Sequence, residues 1–264
     1  MELSATDVIL VKEFLESEHD RFNRMDFIEH DPISIPHRYQ KKEDREISGF
    51  LTATISWGQR QTILKNAAQL MLLMDDAPYD FLMGCKPADL KRFGVFVHRT
   101  FNGSDCMLFI QLLVKLYREK GGLHHAFTKA LTVSNNDMSA AIHHLRNTFF
   151  DDMLPNRAAK HFSDPLKNSA AKRFCMFLRW MVRQDQRGVD FGIWQDVPMR
   201  VLRCPLDVHS GRVARELGIL RRTQNDWQSV EELYENLLYF DDIDPCKYDF
   251  ALFGGGVQEK KTSP

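Results

Sequence analysis

The sequence predicts an all-α protein, and three observations carry that prediction. Apolar residues recur at three- and four-residue intervals along nearly the whole chain. Period-two runs of β-branched residues, the mark of strands, are scarce. The apolar segments stop at glycine or proline, as helices do. With 264 residues, 44% hydrophobic and 27% charged, the chain has enough apolar material for a sizeable core and reads as globular.

Ile47, Phe50, Leu51 and Thr54 begin one helical stripe, and Ile63, Leu64, Ala67, Leu70 and Met71 continue a second. The break at Trp57-Gly58 makes this a helix, a bend and a helix. Further helices are expected over Cys106–Arg118, before Gly121-Gly122, and over Ser139–Phe150, before Pro155. Another runs over Ser169–Arg183, with Ser169 as its N-cap and Gly188 near its end. Asp207 is placed to cap a short helix ending at Gly218. Asn225, with Gln228 three residues on, is placed to cap a last helix carrying Trp227, Val230, Tyr234, Leu237 and Leu238. Gly254-Gly255-Gly256 closes the ordered chain, leaving a frayed tail. No Pro/Ser/Gly-rich linker interrupts residues 40–250, so two helical lobes sharing one chain fit better than separable domains.

Several function classes are disfavoured. Glu2, Asp7, Lys12 and Glu13 interrupt the N-terminal segment, which lacks the basic and apolar regions of a signal peptide. Apolar runs such as Leu70–Met74 fall far short of the roughly 20 residues that span a bilayer. Cys85, Cys106, Cys175, Cys204 and Cys246 are odd in number and scattered, with no Cys-x-x-Cys pair. A soluble, cytoplasmic, monomeric protein with no membrane partner, no metal and no cofactor is the expectation.

The formal net charge of −1 conceals an uneven distribution. Residues 157–222 hold 14 Lys/Arg against 6 Asp/Glu, a local +8, while residues from 223 onward hold 3 against 9, a local −6. A basic block of this size suits a phosphate-backbone partner. It suits equally a solvated face paired with the acidic C-terminal segment. At about 100° per residue, Lys172, Met176, Arg179 and Arg183 share one side of their helix, opposite Phe174, Phe177, Leu178 and Met181. That pattern predicts a cationic face opposite a core face, with Lys167 and the N-terminus at Ser169 positioned to hold a phosphate.

The most informative run is Cys204-Pro205-Leu206-Asp207-Val208-His209, followed by Ser210-Gly211-Arg212. On local chemistry alone, Asp207 is an ordinary helix cap. The run also resembles the Pro-x-Asp-x-His block of the helix-hairpin-helix DNA glycosylase superfamily, most closely that of 8-oxoguanine glycosylases. Phe50–Gln61 is similar to the superfamily's helix–bend–helix, whose polar tip enters DNA where a base has been flipped out. Blocks similar to Ser169–Arg173, Phe177–Arg183 and Asp244–Gly254 recur in an uncharacterised bacterial family, a likeness covering most of the chain. The resemblance implies a two-lobed glycosylase-like fold, with approximate lobes 45–155 and 1–44 plus 156–258. Its hairpin is degenerate, because Ser163–Asn168 stands where a Leu-Pro-Gly-x-Gly loop is usual.

For site residues, the resemblance implies Asp207 as the carboxylate that stabilises positive charge developing on the sugar. Lys172 is the candidate amine nucleophile, an assignment that needs its pKa lowered by neighbouring cations or by burial. The gap of 35 residues between them is wider than in most glycosylase/lyase enzymes. A phosphate-contacting or solvated lysine is the alternative for Lys172. Double-stranded DNA is the implied partner, contacted by Gln59, Arg60, Gln61, Lys167, Ser169, Arg173, Arg179, Arg183, His209 and Arg212. Trp57, Trp180 and Phe253, with Trp194, are candidates to stack on an extruded base. Two competing functions are a nucleic-acid-binding module without catalysis and a metal-dependent phosphohydrolase. The latter would draw on His19-Asp20, His30-Asp31, His124-His125 and His143-His144.

Overall fold

The computed structural model describes residues 4–254, so the expected glycine-rich end and tail beyond Gly254 lie outside the described residues. Among the described residues regular structure is helical, and extended pairing is confined to two isolated bridges, His98 with Phe101 and Ser169 with Asp226. In chain order the helices are α1 (Ala5–Phe22), α2 (Lys42–Thr54), α3 (Arg60–Leu72), α4 (Pro78–Gly84), α5 (Gly103–Glu119), α6 (Gly122–Val133), α7 (Met138–Phe150), α8 (Lys172–Val182), α9 (Val208–Glu216) and α10 (Trp227–Phe240). A further helical segment occupies 249–254. The fold is all-α. No helix among the described residues is long and apolar enough to cross a membrane. The five cysteines are free, buried thiols.

The described residues divide into two compact units, one of residues 28–164 and one of 4–27 with 165–254. In the first, α2 is buried along its whole second half, from Glu46 to Thr54. The short 3₁₀ turns at Pro32–Ser34 and Pro36–Arg38 join this unit because Ile33 and Ile35 are buried and the turns pack on α2. The centre of the unit is aromatic: Phe109 of α5 lies 5.2 to 5.8 Å from the rings of Phe101, Phe149 and Phe150. α5 starts at Gly103, ahead of the expected Cys106, because Asn102 and Asp105 form a complete capping box there. Past α7, Arg157 and His161 both bond Asp105 of α5, tying residues up to 164 into the same unit.

In the second unit, α8 buries Phe174, Phe177, Leu178, Trp180 and Met181. α10 is capped by Asp226, whose side chain accepts from the Ser229 amide at 3.1 Å, and not by Asn225. The reason is local competition. The Asn225 side chain is occupied by Arg215 Nη2 at 2.7 Å, while Arg222 steadies Asp226.

Candidate active site

Asp207 caps α9 as its sequence context predicts. Oδ1 accepts the backbone N–H groups of His209 and Ser210 at 2.8 and 3.0 Å, and the Asp207 amide donates to Ser210 Oγ at 2.9 Å. That geometry leaves Oδ2 pointing away from the helix, where it accepts a hydrogen bond from Lys172 Nζ at 2.7 Å. Lys172 is the first residue of α8, so the pair joins the N-termini of two helices separated by 35 residues. The lysine side chain is 36% exposed and the aspartate 19%, which leaves both within reach of a molecule arriving from solvent. Partial burial pushes the Asp207 carboxyl up. The Lys172 charge and hydrogen bond, with the two backbone N–H groups, outweigh it and hold the group below the usual carboxylate range.

The start of α8 differs from the expected one. Ser169 is not its cap: Ala171 occupies that position in the left-handed region at φ 46°, and Ser169 Oγ accepts from the Ala171 amide at 3.3 Å. Ser169 and Asn168 are tied to the start of α10 instead, through the Ser169–Asp226 bridge and an Asn168–Asp226 hydrogen bond at 3.0 Å.

The predicted cationic face of α8 does not form. Arg179 and Arg183 are 4% and 1% exposed, so they cannot meet a DNA backbone. Arg179 bonds Asp190 at 3.2 Å and makes a short contact with Asp249, while Arg183 pairs with Asp185, Asp190 and Asp244 at 2.9 to 3.2 Å. Phe250 covers both guanidiniums, 4.4 and 5.4 Å from its ring centre. Four carboxylates therefore surround two guanidiniums. Burial pushes the Asp244 and Asp249 carboxyls up to about 6 against the pull of Arg183 and Arg179, so both take up a proton in mildly acid solution. The expected crowding of Lys172 by these arginines is likewise absent as a net positive field, since their charge is matched.

Much of the basic block is spent in the same way. Arg200 pairs with Asp242, Arg203 with Glu231, Arg222 with Asp226, and Arg212 with Glu216. Lys167 remains exposed in the 3₁₀ turn Pro165–Lys167, and Arg173 and His209 are half-buried. Burial pulls the Arg173 guanidinium down to about 10.

The stacking candidates fare unequally. Trp180 and Trp194 are fully buried, Trp194 edge-on to Phe177, and neither can stack on a base. Phe253 is half-buried against Phe27. Trp57 is half-buried, stacked on His161 and edge-on to His98. The polar tip that follows is open: Gln59, Arg60 and Gln61 are all exposed, reached through Gly58 at φ +107°, a conformation that L side chains rarely adopt.

One histidine of each of three motifs makes a structural contact. His19 Nδ1 donates to the Lys247 carbonyl, His124 meets Lys42 Nζ, and His143 faces Asp164. Among the described residues no three His, Cys, Asp or Glu side chains are grouped to hold a metal ion. The residues that sequence reasoning missed are Asp185, Asp190, Asp244 and Asp249. For Asp244 and Asp249 the acidic excess after residue 223 was the available signal.

Fold and site together define an all-helical protein in which a half-exposed lysine–aspartate pair links the N-termini of two helices. More particularly, the chain belongs to the family described as a protein of unknown function, DUF2400, whose model matches residues 31–258. No curated protein and no solved structure matches it.

Proposed function

We propose that the protein binds DNA and excises a base, with Asp207 as the charge-stabilising carboxylate and Lys172 as the attacking amine. One observation carries this reading: Lys172 Nζ lies 2.7 Å from Asp207 Oδ2. Breaking an N-glycosidic bond leaves positive charge on the sugar, and a fixed carboxylate beside C1′ stabilises it. The amine needs to lose a proton before it attacks; Asp207 Oδ2, within hydrogen-bond distance, would relay that proton to the departing base, leaving the carboxylate ionised as charge develops on the sugar. Nζ would then bond to C1′ while the glycosidic bond breaks and the base leaves with the electron pair. The resemblance of Pro205–His209 to the glycosylase block, and of Phe50–Gln61 to its helix–bend–helix, supports the two-lobed glycosylase-like architecture that this chemistry needs. The exposed tip Gln59–Gln61 is suited to fill the gap left by a flipped base, and Lys167 to contact phosphate.

The paired state of the basic block favours one second reading, a binding module in which the Lys172–Asp207 pair is purely structural. Duplexes carrying 8-oxoguanine, uracil, an alkylated base or an abasic site distinguish the two. Excision, with a borohydride-trapped adduct lost in Lys172→Ala, is the expected result. A trapped adduct that survives Lys172→Ala removes the lysine from its role. Binding without excision, unchanged in Asp207→Asn, establishes the module, and absence of both binding and incision sinks the DNA reading altogether.

A further inference from the structure

A cavity of about 640 Å³ opens within the unit of residues 28–164, between one face of α6, the outer side of α7 and the end of α5. It falls in the size range of small-molecule sites. Its residues come at helical spacing. Gly121, His125, Lys129 and Val133 form one line on α6, Ala126 and Ala130 the line beside it, and His144 and Thr148 the facing line on α7. The walls are thus chemically divided, with an apolar strip of small side chains flanked by imidazoles and ammonium groups.

Three features mark it as more than a surface dent. First, Lys129, His125 and Glu119 line it with no hydrogen-bond or ion-pair partner among the described residues, unlike most of this chain's charged groups. Secondly, Lys120 is held at its edge: Nζ donates to the Thr148 carbonyl at 3.1 Å and pairs with Asp151 at 2.9 Å, so its charge is already matched. Thirdly, the residue beside His125 has no side chain, and a Cβ at Gly121 would come within 3.1 Å of the imidazole. The ring lies against bare backbone at the mouth of α6, a position that any side chain at 121 would contest.

We infer that this cavity is a binding site for a phosphate monoester of mononucleotide size, independent of the Lys172–Asp207 pair. Lys129, His125 and His144 supply donors for the phosphate. Glu119 accepts from sugar hydroxyls, and the Ala126–Ala130–Val133 strip takes the apolar face of a ring. The division of donors, acceptor and apolar wall excludes a bare anion as the preferred ligand, because inorganic phosphate would leave the acceptor and the strip unused.

Calorimetric titration of the full chain with AMP, adenosine and inorganic phosphate tests this. AMP should bind with a submillimolar Kd, with adenosine and inorganic phosphate each about tenfold weaker or worse. Lys129→Ala and His125→Gln, both at exposed positions and chosen to leave the fold intact, should each weaken AMP about tenfold. Failure of AMP to bind at about 10 mM would overturn the inference. So would affinity unchanged in both variants, or equal affinity for AMP and either fragment.

Discussion

Asp207 divides its work between its two carboxylate oxygens. Oδ1 satisfies two backbone donors at the start of α9, and Oδ2 holds Lys172. The first task needs only an acceptor, whereas the second needs a negative charge. Asparagine caps helices about as well as aspartate. Asp207→Asn should therefore change stability to denaturant by a few tenths of a kcal/mol while removing the charge that Lys172 pairs with. Asp207→Ala, which loses the cap as well, should cost about 1–2 kcal/mol. If the two substitutions destabilise equally, the cap is not what Asp207 contributes to α9. The cap is readable from sequence because its chemistry spans four residues. The partner of Oδ2, 35 residues distant, is not.

At the scale of the element, α8 changes character along its length. Its first residue is half-exposed and its seventh and eighth, Leu178 and Arg179, are buried. The helical wheel correctly assigns Phe174, Phe177 and Met181 to the core, yet it cannot say what covers the other side. The loop carrying Asp185 and Asp190 and the segment at Asp244–Phe250 cover it, turning a predicted cationic surface into a buried ion network. Two lysine-or-arginine deletions on this one helix should thus differ sharply. Arg179→Ala leaves buried carboxylates without their partner and should cost about 3–5 kcal/mol, seen as a large drop in Tm. Lys172→Ala removes a half-exposed partner and should cost about 1 kcal/mol or less. Similar losses for both would mean that Arg179 reaches solvent.

For the whole molecule, the buried network imposes a pH dependence whose sign follows from its charge count. Asp244 and Asp249, raised to about 6 from 3.8, bind protons in the folded state that the unfolded chain releases. Each contributes stability that declines as pH rises from about 4 to 6. His19 opposes them. Burial and the nearby Arg183 lower it to about 4 from 6.5, so its contribution is lost as pH falls through the same range. Near pH 5, where the lowered carboxyls such as Asp207 are ionised in both states, two carboxylates against one imidazole leave the folded state holding about one extra proton. Unfolding free energy should fall by about 1 kcal/mol per pH unit around pH 5. Asp244→Asn should flatten that slope to near zero in urea titrations around that pH. A slope that rises with pH in the native sequence contradicts the proton count.

The sequence by itself determined what depends on near neighbours: the all-α class, from apolar spacing; the bend before the Gln59–Gln61 tip, from Trp57-Gly58; and the cap at Asp207. Those features arise from interactions within a few residues, and residue order displays them directly. Tertiary structure alone decided where the charge goes. Residues 157–222 carry the same +8 whether their arginines face solvent or face Asp190, Glu231, Asp242, Asp244 and Asp249. Coulombic pairing depends on distance in space, and distances between groups tens of residues apart are set only when the chain is packed.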